Sequence, residues 1–176
     1  VVSYLMALEK WLYEQIDSKE DISQWIDLII EKSDSLAFIG ILISVAKYSP
    51  KLFLDKLKSL LYQPYIIWWD QQYLLQSQSG IATSITWSNE DHYNTPIAKK
   101  WFVMDHRKIS VEQWALHFML NIPEMKKYVQ SVREELIEEL NGADDSKLES
   151  QICKFDPDNY QIRKLSDGTE IWDYNA

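Results

Sequence analysis

Three histidines, His92, His106 and His117, are the only imidazoles in the chain, and two of them follow an acid directly, as Asp91-His92 and Asp105-His106. An imidazole beside a carboxylate is the raw material for acid–base catalysis or for metal ligation. A small stand-alone enzyme built on His92, His106 and nearby acids is therefore one reading. The spacing speaks against it. His106 and His117 are eleven residues apart across an expected turn, so they cannot share one helix face as i, i+4 ligands. His106 with Arg107 and Lys108 instead suits a helix C-terminus, where cations answer the helix dipole, and His117 suits the edge of a core. Cys153 is the single cysteine, which excludes an internal disulfide and a cysteine-based zinc site, and no base is marked as its partner. No catalytic, cofactor-binding or metal-ligating residue is assigned, and no cofactor is expected for this segment.

A second constellation is basic. Lys99, Lys100, Arg107 and Lys108 cluster around Trp101 and Phe102, and bases interleaved with aromatics can hold a phosphate backbone while stacking on bases. A nucleic-acid-contacting adaptor through residues 99–108 is the corresponding alternative. The formal charge of −9 and pI near 4.8 oppose general nucleic-acid binding. Residues 134–176 hold twelve acids against four bases, while the rest of the chain is near neutral. An internal acidic partner for the cluster in that C-terminal stretch is the preferred expectation. Among the eight tryptophans, Trp11, Trp25, Trp68 and Trp114 sit at core spacing. Trp68-Trp69 differs, because adjacent helical side chains point about 100° apart and cannot both face one core. The candidate interaction residues are therefore Trp68, Trp69, Lys99, Lys100, Trp101, His106, Arg107 and Lys108.

The elements that must position these residues are mostly helical. Apolar residues recur at three- and four-residue steps at Tyr4, Leu5, Leu8, Trp11, Leu12 and Ile16, and again from Ile22 to Ile30 after a capping start at Ser18 and Asp21. Leu36–Tyr48 is apolar nearly all round, as expected of a central core helix. Pro50 is expected to open a fourth helix with Leu52, Phe53, Leu57, Leu60 and Leu61 inward, and Tyr65–Leu75 an aromatic fifth. Ser77–Asn94 holds no period and reads as a long loop. Thr95-Pro96 is expected to start a short helix through Met104, Ser110 with Gln113 forms a capping box, and Pro123 begins a helix ending at Leu140 before Gly142. A shorter helix spans about Asp145 to Lys154. Tyr160–Leu165 and Thr169–Tyr174 alternate around Asp167-Gly168, the signature of a hairpin. Only four glycines are present, which excludes most glycine-rich phosphate cradles. Gly40 alone lies inside a helix, where a close contact is the expected reason.

The fold class is all-α: helical hairpins or a helical-repeat-like stack, with a small C-terminal β-hairpin. The expected domains are a helical domain over 1–155, with its loop at about 77–94, and a hairpin extension over 156–176. No apolar stretch is long enough to span a bilayer, and a lone thiol suits the cytoplasm. The absence of an initiator Met and a hairpin too small to stand alone point to a piece of a longer protein.

Several segments together resemble a known family. Ala7–Phe53 (ALEKWLYEQIDSKEDISQWIDLIIEKSDSLAFIGILISVAKYSPKLF), Met104–Leu120 (MDHRKISVEQWALHFML) and Phe155–Ile162 (FDPDNYQI) are similar to the helical region downstream of the nucleotide-binding module in large bacterial AAA/STAND-type ATP-binding proteins associated with anti-phage defence. The resemblance implies an ATPase core elsewhere in the polypeptide, and none of the family's Walker residues has a counterpart here. It implies a non-catalytic scaffold or sensor segment. Its partners would be proteins, namely its own ATPase module, other subunits or a second copy, with neither nucleic acid nor a membrane expected.

Overall fold

The computed structural model describes residues 2–78, 100–101, 103–140 and 146–175. They are mostly helical, with one two-stranded antiparallel hairpin at the C-terminal end. Among them no helix is long and apolar enough to cross a membrane. The chain divides into two compact units, Val1–Trp114 and Ala115–Ala176, so the hairpin shares a unit with the C-terminal helices.

The first unit begins with α1 (Val2–Asp17), α2 (Ser23–Lys32) and α3 (Leu36–Tyr48). Helix α1 packs on α3, burying Leu12 and Tyr13, whereas Tyr4, at the head of the expected stripe, is exposed. The start of α2 lies later than Ser18. Asp21 does act there, accepting a bond from the Ser23 amide at 2.9 Å, but as a turn ahead of the helix. Ser35 caps α3 by accepting from the Ala37 amide. The middle and end of α3 are core, with Ile41, Leu42, Ile43, Val45 and Ala46 buried, while its first residue, Leu36, is exposed.

The expected fourth helix is broken into a 3-10 turn (Pro50–Leu54) and a single α-turn, α4 (Lys58–Leu61). Asp55, at φ −127° and ψ −105°, lies outside helical space and interrupts the ladder. Phe53, Leu57 and Leu61 are nevertheless all fully buried. Helix α5 (Pro64–Gln78) starts on its proline and runs past Leu75, so Ser77 and Gln78 are helical rather than loop. The rest of the expected 77–94 loop, His92 and Gly80 included, lies outside the described residues, as do Lys99, Phe102 and Gly142. Lys100 and Trp101 are helical, but the expected helix does not reach Met104, which is extended and leads into a 3-10 turn, Asp105–Arg107.

Helix α6 (Val111–Asn121) opens on the predicted capping box. The Gln113 amide donates to Ser110 Oγ at 3.0 Å, and the Ser110 amide donates to Gln113 Oε1 at 2.8 Å. In the second unit, α7 (Pro123–Leu140) and α8 (Ser146–Lys154) join through Leu136, Leu148 and Ile152. Arg133 fixes the pair by donating to the Ile152 carbonyl at 3.2 Å and pairing with Asp156 at 2.8 Å. After a 3-10 turn (Pro157–Asn159), β1 (Tyr160–Lys164) pairs with β2 (Glu170–Tyr174) in the register Tyr160↔Tyr174 and Ile162↔Trp172. The hairpin leans on its helices as anticipated: the Tyr160 hydroxyl donates to the Lys154 carbonyl at 2.9 Å.

The hairpin reverses at Gly168, which has φ +86°. Its amide closes a turn on the Leu165 carbonyl, and the Leu165 amide reaches the Thr169 carbonyl at 2.8 Å. A β-branched residue at that φ is strained by about 1–2 kcal/mol. Gly168→Val should therefore weaken cross-strand contacts between Ile162 and Trp172 in NMR spectra, while the α7–α8 contacts persist.

Candidate functional site

The inner faces of α1, α3 and α5 carry charges where apolar residues are the rule. Glu9, Lys47, Asp70 and Arg107 are between 2% and 7% exposed. They form two ion pairs, Lys47 with Asp70 and Arg107 with Glu9. Isolated charges cannot be buried at tolerable cost, so pairing and hydrogen bonding are obligatory. Asp70 also accepts the Val111 amide at 2.8 Å, satisfying one free donor at the start of α6. Arg107 donates to the Tyr73 hydroxyl at 3.0 Å.

Around the Arg107–Glu9 pair stands an aromatic collar. Tyr13 stacks on Tyr48 at 4.4 Å and on Trp101 at 5.7 Å, and the Arg107 guanidinium lies 5.2 Å from the Trp101 ring centre. The Tyr13 hydroxyl donates to Glu9 and lies 3.0 Å from His106 Nε2. Tyr13 has one hydroxyl proton and gives it to Glu9, so His106 Nε2 carries its own proton and donates to the tyrosine oxygen. Burial, and next the Glu9 carboxylate, push the Tyr13 hydroxyl well above the ordinary tyrosine range. Burial, with Arg107 and Lys47 nearby, pushes His106 down to about 4. Lys47 is also lowered, by burial that the Asp70 carboxylate only partly offsets. Burial is the largest influence on Arg107 and opposes its charge, but Glu9, Tyr13 and Tyr73 together outweigh it and the guanidinium is raised.

Two cavities adjoin this cluster within the first unit. An outer groove of about 350 Å³ between α3 and α5 is apolar and lined by Leu36, Ile39, Gly40, Tyr65, Ile66 and Trp69. An inner cavity of about 230 Å³ is lined by Glu9, Ser44, Lys47, Asp70, Tyr73 and Arg107 on its polar side. Ala37, Gly40, Ile43 and Trp69 line both. The Trp69 indole rests on Gly40, where a Cβ would meet its ring at 3.1 Å. This is the close contact expected of the one intrahelical glycine.

No protein-family model matches this sequence, and no curated protein or solved structure shows significant similarity to it. Any role must therefore be argued from the chain's own geometry.

The sequence candidates fare unequally. Trp68 and Trp69 are both half-exposed, so the argument that the two cannot share one core holds, and neither is buried. The core expectation for Trp11, Trp25, Trp68 and Trp114 needs correcting, because none of the four is among the buried residues. Trp11 and Trp25 instead meet edge-to-face at 5.1 Å. Of the basic cluster, Lys99 and Phe102 lie outside the described residues. Lys100 is exposed, Lys108 pairs with Asp105 at 2.7 Å, and Arg107 is buried against Glu9 rather than solvated at a helix end. The acid expected for Arg107 in the 134–176 stretch thus lies on α1. His106 joins the aromatic collar, not a helix C-terminus, and His117 is exposed, with its carbonyl accepting from Asn121. Among the described residues, no three His, Cys, Asp or Glu side chains are grouped to hold a metal.

Glu9, Lys47 and Asp70 escaped the sequence reading, since a charge in a helix usually marks a solvated face. A signal exists nonetheless. Asp70 stands at helical spacing between Ile67 and Leu74, both buried, and Lys47 follows Ile43 by four residues.

Removing one partner of a buried pair leaves an uncompensated charge and costs about 3–5 kcal/mol. Glu9→Gln should lower stability by that order in chemical denaturation, and combining it with Arg107→Met should recover part of the loss. The depressed His106 fixes a pH window. The unfolded imidazole binds a proton near 6.5 and the folded one near 4, so stability is full above 6.5 and falls as pH drops toward 4. His106→Gln should flatten that slope in urea titrations between pH 6.5 and 4.

Proposed function

We propose that this chain is a non-catalytic helical interaction segment that works by surface complementarity, and that its partner is an amphipathic helix. In the AAA/STAND-type proteins it resembles, that helix would belong to the ATPase module of the same polypeptide. The observation that carries this reading is the outer groove between α3 and α5. Leu36 is 80% and Tyr65 67% exposed at its rim, with half-exposed Trp69 in its wall. Soluble surfaces seldom leave large apolar side chains gathered in a concave strip unless something covers them, and aromatic residues in such a strip are the side chains that most often dominate binding. A helix presenting apolar residues at i, i+4 and i+7 matches a groove between two helices. The burial of Arg107 against Glu9 favours this reading over a nucleic-acid adaptor, which would need that cation exposed.

Leu36 is the first residue of α3, where an acid is tolerated and even favoured by the helix dipole. The double variant Leu36→Asp, Tyr65→Ser should keep the native helical signal and melt within a few degrees of the parent. Its association with the separately expressed ATPase module should weaken at least about tenfold in a pull-down titration. Undiminished association would sink the groove as the interface.

A further inference from the structure

The C-terminal hairpin leaves its outer edges open. The Leu165 amide donates to the Thr169 carbonyl and the Asn175 amide to the Asn159 carbonyl, each at 2.8 Å. These bonds bracket the register from Tyr160↔Tyr174 to Lys164↔Glu170, and antiparallel pairs alternate between bonded and non-bonded. Gln161↔Asp173 and Arg163↔Ile171 are therefore the bonded pairs. The amides and carbonyls of Glu170, Trp172 and Tyr174 point away from β1, and among the described residues they meet no partner. The two edges are not alike. β1 carries Arg163 and Lys164, and basic side chains along an edge strand keep other strands off it. β2 has no base, no proline and no bulge. Its two acids are neutralised within the hairpin, Asp173 by Arg163 and Glu170 by Lys164. Trp172 is 39% and Tyr174 45% exposed, so aromatic side chains stand beside the open amides.

Such an edge accepts another strand, and β2 of a second copy matches it. Laid antiparallel about Trp172, the two strands set Trp172 opposite the partner's Trp172 and Glu170 opposite the partner's Tyr174. Every open amide of one copy then meets an open carbonyl of the other. An aromatic pair at the centre stabilises neighbouring strands. On the reverse face Asp173 lies opposite the partner's Ile171, so no two like charges are directly opposed. The antiparallel sense is also the one that the fold permits. The helices hold the hairpin at its Asn159–Asn175 end, where Tyr160 reaches the Lys154 carbonyl, and the Leu165–Thr169 end is exposed. Antiparallel strands put the two helical bodies at opposite ends, whereas parallel ones would force them together at a strand spacing of about 4.8 Å. Two strands alone are marginal in water, and a second copy supplies the strands that the hairpin lacks. We propose that β2 is a self-association edge, through which two copies of this chain join their two-stranded hairpins into one sheet of order β1-β2-β2-β1. Both outer edges of that sheet are the base-bearing β1, so the assembly closes as a two-fold dimer. This goes beyond the groove reading and does not depend on it, since the groove belongs to the first unit.

The test is sedimentation of the full chain over a concentration series, with NMR of a mixture of isotope-labelled and unlabelled copies. A dimer with a Kd of about 0.1 mM is expected, weak because one strand pair buries less than a standard interface. Between labelled and unlabelled copies, Ile171 Hα should contact Asp173 Hα, a pair that the hairpin's own register never brings together. Glu170→Pro removes an outward amide and leaves the internal ladder intact, since proline is tolerated at the first residue of an edge strand. It acts twice in a symmetric dimer and should weaken association at least about tenfold. Lys164→Pro makes the same change on the β1 edge and should leave association as it was. Should Glu170→Pro disturb the hairpin, seen as lost Ile162–Trp172 contacts, the Ile171–Asp173 contact between parent copies decides the matter. A chain still monomeric at about 1 mM would overturn the proposal, and any strand on this edge would then come from another protein. A dimer lacking the Ile171–Asp173 contact, or one weakened equally by Lys164→Pro, would overturn it too. So would a dimer that survives Glu170→Pro with its hairpin intact and is lost in Leu36→Asp, Tyr65→Ser, because it would lie in the groove.

Discussion

Two charges of each sign, buried among three helices, are the constraint on which the first unit turns. Lys47 and Asp70 join α3 to α5, and Glu9 and Arg107 join α1 to the 3-10 turn before α6. In water such pairs contribute little. In the interior the loss of any one member leaves its partner stranded, so the helices hold their relative positions or expose a bare charge. Asp70 extends the constraint by receiving the first amide of α6. The collar of Tyr13, Tyr48, Trp101 and His106 then shields the Arg107–Glu9 pair from solvent, and that shielding is what keeps the His106 imidazole neutral over an unusually wide range.

The same arrangement explains why a polar cavity and an apolar groove lie side by side. Trp69 and Asp70 are neighbours on α5, and helical geometry turns them about 100° apart. Asp70 points to the ionic cluster while Trp69 lies across Gly40 of α3. A glycine in mid-helix costs about 0.5–1 kcal/mol relative to alanine. Here it gives the indole room to lie against the α3 backbone, so that one ring lines both spaces.

The second unit owes little to charge in its interior. Leu136, Leu148 and Ile152 close α7 on α8, and Arg133 reaches across to the end of α8. The hairpin that follows is short and mostly exposed. Its order comes from the Gly168 turn, the Ile162–Trp172 pairing and the tether from Tyr160 to α8. This is the pattern expected of two strands too few to bury a core of their own.

The sequence by itself determined the local elements. The capping box at Ser110, the proline start at Pro123, the all-apolar α3 and the glycine turn of the hairpin are short-range matters, settled by residues within one turn of each other. It also reserved Gly40 for a close approach. It did not determine where the kink at Asp55 falls, since that depends on how Phe53, Leu57 and Leu61 all reach the core. Nor did it reveal the ionic cluster. Glu9 lies 98 residues from Arg107 and Asp70 lies 41 from Val111, and a charge on a helix reads as solvated until its partner is brought beside it. Arg107 shows the difference most plainly. By its neighbours it belongs to a basic surface, whereas by its fold it is a buried cation with one donor still unmatched. Desolvation and pairing are properties of the packed interior, and only the tertiary structure could decide them.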